Sequence, residues 1–203
     1  LSNIYIKSIC YFKSLIALRC KMEENMTDKL GEYLKDLEER YKYYYEVDRD
    51  KEISGVKVDI FAKSSTEHFR QALTKSIKID QHYTKEYAIV KSLSELGNKD
   101  EVKEFSQFLI SSINKLSPPS IDTMSTILNG ILISTSGFSE EAISFAKKFK
   151  FSKSFLLGIK GWCDIRLILI DLKEEKLYSN KKGKEVLSAY KIKSKSGLGG
   201  DRT

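Results

Sequence analysis

Two histidines, His68 and His82, three cysteines, Cys10, Cys20 and Cys163, and scattered carboxylates are the side chains in this sequence with chemical potential. A structural zinc needs about four Cys or His ligands at close spacing. Here the histidines stand alone and no Cys-x-x-Cys pair exists, so zinc is excluded. Neither Gly-x-Gly-x-x-Gly nor Gly-x-x-x-x-Gly-Lys-Ser/Thr occurs, which removes nucleotide cradling by a glycine loop. Ser134-Thr135-Ser136-Gly137 lacks the nucleophile elbow and has no histidine beside it, which argues against a serine hydrolase. Each histidine reads as a surface or partly packed residue. Two positions stand out. Asp59 interrupts an apolar alternation in Val58-Asp59-Ile60, and Lys91 ends the apolar run Tyr87-Ala88-Ile89-Val90.

The elements that must place these residues follow from periodicity. Met26, Leu30, Tyr33, Leu34, Leu37 and Tyr41 form one helical stripe. Tyr43, Tyr44, Tyr45 and Val47 then lead through a polar turn around Asp48-Arg49-Asp50-Lys51 into residues 56–62, a hairpin. Val56, Val58, Ile60 and Ala62 are expected on one face, with Lys57, Asp59 and Phe61 on the other. Residues 65–82 carry a sparser helical pattern, Phe69, Leu73 and Ile77. Residues 87–91 read as a buried strand, on which Glu86 falls on the side opposite Lys91. A helix starting after Asn98 carries Val102, Phe105, Leu109, Ile113 and Leu116 up to Pro118-Pro119. Residues 120–128 suggest a short helix, and Asn129-Gly130 a turn into Ile131-Leu132-Ile133. Ser139 caps another helix, and Phe155–Ile159 and Arg166–Ile170 are further apolar runs. Alternating strands and helices give an α/β expectation: a central mixed β-sheet flanked by helices.

The chain has 203 residues, 41% hydrophobic and 31% charged, with two prolines, which suits one globular domain of ordinary size. A formal charge of +7 makes a polyanion a reasonable partner. Residues 1–25 are apolar but broken by Lys7, Lys13 and Arg19, too interrupted for a membrane span or a signal peptide. They are expected to be an upstream extension outside the native domain. Residues 26–190 then form the single domain and 191–203 a flexible basic tail. Cys163 would be the sole native cysteine, in keeping with a reducing cytoplasm.

A helix, a hairpin ending in Val58-Asp59-Ile60, a strand ending in Ile89-Val90-Lys91 and a strand–helix unit resemble, in that order, the PD-(D/E)XK nuclease superfamily. The stretch Gly130-Ile131-Leu132-Ile133-Ser134-Thr135-Ser136-Gly137-Phe138-Ser139-Glu140-Glu141-Ala142 is similar to part of the Mrr-like restriction endonucleases, and Arg166–Leu172 to the strand that follows. The resemblance implies a restriction-endonuclease-like core and Mg²⁺-dependent phosphodiester hydrolysis of DNA. Asp59 would hold the metal and Lys91 would orient the attacking water. Glu32 matches an extra acid that some relatives carry on the first helix. Lys57 and Lys75 are the candidate phosphate contacts, and a homodimer is the common assembly. The sequence departs from the pattern at Ile89, where the family has Glu or Gln. An isoleucine cannot bind a hard cation, so the alternative is a catalytically inactive nuclease-fold protein that binds DNA or serves in assembly. The Tyr43-Tyr44-Tyr45 cluster reads as strand packing rather than base stacking.

Overall fold

The computed structural model describes residues 26–69, 81–116, 123–154 and 161–193. A seven-stranded mixed sheet forms the centre, in the order β1-β2-β3-β4-β6-β5, with β7 pairing to the same edge of β6 as β5. The strands are β1 (Glu46–Ile53), β2 (Val56–Phe69), β3 (Gln81–Leu93), β4 (Thr123–Ser134), β5 (Ser152–Ser154), β6 (Trp162–Asp171) and β7 (Lys176–Ser179). β1, β2 and β3 form an antiparallel meander, whereas β3, β4 and β6 run parallel. Among the described residues three helices flank the sheet: α1 (residues 26–42), α2 (Lys99–Leu116) and α3 (Glu140–Lys148). None of them is long and apolar enough to cross a membrane.

Parallel strands are stable where both faces are covered, because each face then buries an apolar row. Ile89, Leu128, Leu132, Leu167 and Leu169 pack on one face against α2 and α3 through Val102, Phe105, Leu109 and Ala142. Ala88, Val90, Ile131, Ile133, Ile168 and Ile170 pack on the other against Tyr33, Leu34, Leu37 and Tyr41 of α1. The helices follow the sequence expectation. Asn98 Oδ1 accepts the N–H groups of Asp100 and Glu101, while Glu101 Oε2 accepts the Asn98 N–H at 2.8 Å, so two ends of one turn cap each other.

Five expectations are corrected. Asp48–Lys51 lie inside β1, and the chain turns at Ser54-Gly55, whose φ values of 52° and 81° suit a two-residue hairpin. Residues 65–69 and 81–82 are strand, because cross-strand pairs such as Ser65↔Lys85 and Thr66↔Thr84 outweigh a helical pattern carried by a few residues. Residues 123–130 belong to β4, clamped between two parallel neighbours. Gly130 is there for close approach rather than turning: a Cβ would lie 2.1 Å from Leu109 Cδ1, which presses α2 onto the sheet. The face alternation of β2 breaks at Asp59, since Val58 packs on the α2 side but Ile60 and Ala62 on the α1 side. The partner strand is irregular at the same level, with Asp50 at φ 49°. Lys75 and the Phe155–Ile159 run lie outside the described residues, as do the N-terminal extension and most of the tail. Of the tail, Lys191 and Lys193 are held to α1: Arg40 donates to the Lys191 carbonyl and Lys193 to Asp36.

Candidate functional site

β2 and β3 pair as far as Ile60↔Val90 and then separate, and the next residues on each strand are Asp59 and Lys91. Two residues far apart in sequence thus occupy neighbouring strand positions where the sheet forks, although Asp59 is not among the residues that line the cleft beside Lys91. Asp59 Oδ2 accepts a hydrogen bond from the Ser92 N–H at 2.5 Å, which supplies the acceptor that the interrupted ladder no longer provides. Lys91 points to the α2 side. It lines a cleft of about 250 Å³ together with Glu101, Glu104, Phe105, Phe108 and Leu132. The cleft opens at the carboxyl ends of the parallel strands β3 and β4, the end at which α/β sheets commonly hold ligands. Glu101 is partly committed to the α2 cap, while Glu104 is exposed.

The remaining candidates are not gathered here. Glu32 lies on the exposed side of α1, across the sheet from Lys91. Lys57 is 3.3 Å from Asp50 in an exposed pair near the β1–β2 turn. Ile89 is fully buried in the core beneath α2. Mg²⁺ prefers a near-octahedral set of oxygen ligands. At the positions the resemblance marks for it stand one carboxylate, already bonded to Ser92, and an aliphatic side chain. Among the described residues no three His, Cys, Asp or Glu side chains gather at metal-binding spacing. The donor set does not fit the ion.

The role of Asp59 at the fork is testable. Asp59→Asn keeps an oxygen acceptor for Ser92 and is expected to change stability by less than about 1 kcal/mol. Asp59→Ala leaves the half-buried N–H without its acceptor and should cost about 1–3 kcal/mol. Urea unfolding of both variants separates this outcome from a purely chemical role, in which neither would move the midpoint.

The opposite face carries a polar network that the sequence reading missed. Asn129 Nδ2 donates to Glu86 Oε1 at 2.7 Å, and Arg166 bridges Glu86 at 3.2 Å and Glu185 at 3.0 Å. Asn129 Oδ1 is buried and has no hydrogen-bond partner among the described residues. Tyr45 packs edge-on against Tyr41, and its hydroxyl is pushed upward in pKa by burial and by the hydrogen-bonded Glu86 carboxylate. Tyr41 and Tyr190 share a hydrogen bond of 2.8 Å, and burial pushes the Tyr190 hydroxyl up to about 12. The signal available beforehand was parity. Glu86, Asn129 and Arg166 each fall on the α1 side of their strand, next to residues of the apolar core. On the other face, burial raises the Cys163 thiol to about 12, so it is a packing residue rather than a nucleophile.

Residues 29–192, from α1 through the segment after β7, match the family described as Domain of unknown function (DUF8052). The chain belongs to this family. No curated protein and no solved structure matches it. The sheet fork, the cleft and the Glu86–Arg166 network all lie within the matched residues.

Proposed function

We propose that this protein binds DNA on a nuclease-like fold without cutting it. The reading is carried by Ile89: the position at which the nuclease pattern places its second acidic ligand is a fully buried core residue under α2. Two further observations support it. The order of helix, hairpin, strand and strand–helix unit, with α2 lying between β3 and β4, supports the resemblance. The formal charge of +7 favours a polyanionic partner. Asp59 acts as a structural acceptor at the fork, and the lysine surplus supplies phosphate contacts. The hydrolytic alternative draws on Glu101 and Glu104, which bring carboxylates to Lys91 from α2 rather than from β3.

Fluorescence anisotropy with labelled oligonucleotides, beside plasmid cleavage in Mg²⁺ and Mn²⁺, tests the proposal. The expected result is binding that weakens roughly tenfold or more between about 50 and 200 mM salt, as release of about two counterions requires. No strand scission should accompany it. Metal-dependent scission abolished by both Asp59→Asn and Glu104→Gln would establish the hydrolytic alternative. Salt-insensitive binding, or none, would overturn the DNA reading.

A further inference from the structure

We propose that the cleft between the sheet and α2 is a binding site for a free amino acid with an apolar side chain, a small-ligand site independent of the DNA-binding reading. The sheet supplies one wall and the helix the other. Lys91 and Leu132 stand on β3 and β4, while Glu101, Glu104, Phe105 and Phe108 follow at helical spacing along one face of α2. The space between them is about 250 Å³. That is smaller than the pockets of about 300–1,000 Å³ that take drug-sized ligands, and equals the share of about eight waters. It suits a single amino acid.

The charges decide the ligand class. Among the described residues Lys91 and Glu104 make no hydrogen bond or ion pair, with each other or with a neighbour, although both border the same space. Opposite charges held apart across a cleft match a ligand carrying both signs. Its carboxylate meets the Lys91 ammonium and its ammonium meets Glu104. Glu101 borders the same wall but already gives Oε2 to the Asn98 N–H, so Glu104 is the principal partner of the amine. A plain carboxylic acid would set its charge against two glutamates, and a plain amine would leave Lys91 without an anion. Phe105 and Phe108, with ring centroids 6.1 Å apart, and the buried Leu132 then receive the apolar side chain.

Calorimetric titration of the full chain, with no nucleic acid present, uses L-leucine, L-phenylalanine, N-acetyl-leucine, leucinamide and glycine as probes. At least one of the two apolar amino acids is expected to bind with Kd below about 1 mM. Blocking either end of leucine should weaken it by about tenfold or more, as loss of a charge-assisted hydrogen bond does, and glycine should lose a similar factor for want of a side chain. Lys91→Met should weaken leucine by about tenfold or more yet leave leucinamide at its already reduced affinity, and Glu104→Gln should do the same for leucine and N-acetyl-leucine. This matching of variant to derivative distinguishes a lost contact from a damaged fold, and the derivatives test the parent protein directly. No binding of either amino acid at millimolar concentration overturns the site. Equal affinity for leucine and leucinamide, or for leucine and N-acetyl-leucine, overturns it too. Mg²⁺ binding that Glu104→Gln abolishes, with none of leucine or phenylalanine, assigns the cleft to a cation instead. Failure here leaves the DNA-binding reading standing, and failure of anisotropy to detect DNA binding leaves this site untouched.

Discussion

Ile89→Glu is expected to destabilise the protein by on the order of 5–7 kcal/mol at pH 7 and to restore no DNA cleavage. Ile89 is fully buried between β2 and β4, under Val102, Phe105 and Leu109. Removing its burial costs about 1.5–3 kcal/mol. A carboxyl there must remain neutral, and buried glutamates reach pKa values of about 8–9 against about 4.3 when unfolded. Holding the proton at pH 7 therefore costs about 4 kcal/mol, at about 1.4 kcal/mol per unit. The sign is definite. Because the folded-state value is the higher one, the unfolded chain gives up its proton first as pH rises. The ionisation penalty is absent below about pH 4, grows between about 4 and 8, and then levels off. Urea midpoints of variant and parent at acid and neutral pH check this, and the gap between them should widen toward neutrality. A variant as stable as the parent that cuts DNA with Mg²⁺ would show that this position opens to a metal after all.

Arg166→Met should cost about 2–4 kcal/mol, the second largest effect anticipated. The side chain of Arg166 is 13% exposed and that of Glu86 27%, so their pairing occurs largely out of water. Removing one partner strands the other charge, which for buried pairs costs about 3–5 kcal/mol. The lower range applies because Glu86 keeps the Asn129 amide and the Tyr45 hydroxyl as donors. The bond to Glu185 adds little, since that carboxylate is 59% exposed. Combining the change with Glu86→Gln should recover about 1–3 kcal/mol relative to the sum of the single variants. A cost under about 0.5 kcal/mol for Arg166→Met alone would show that the network does not hold the C-terminal segment to the sheet. The cycle is read by chemical denaturation of all four proteins.

The sequence by itself determined the features that depend on neighbours three or four residues away. The α1 stripe from Met26 to Tyr41, the α2 stripe from Val102 to Leu116 and the Ser139 cap of α3 all stand where periodicity and capping place them. Parity on one strand also placed Glu86 and Lys91 on opposite faces, and it did so without knowledge of the sheet. Only the tertiary structure decided that residues 65–69 and 123–130 are strand, since their pairing partners lie elsewhere in the chain and local propensity there points to a helix or a turn. The same holds for Asn129, whose side chain meets a carboxylate 43 residues earlier, and for Arg166, which meets it across 80 residues. It holds also for the fork at Asp59, where irregular backbone on the neighbouring strand reverses a simple alternation. Helical register is stored in consecutive residues, whereas strand register, and with it the company each polar side chain keeps, exists only once distant segments have come together.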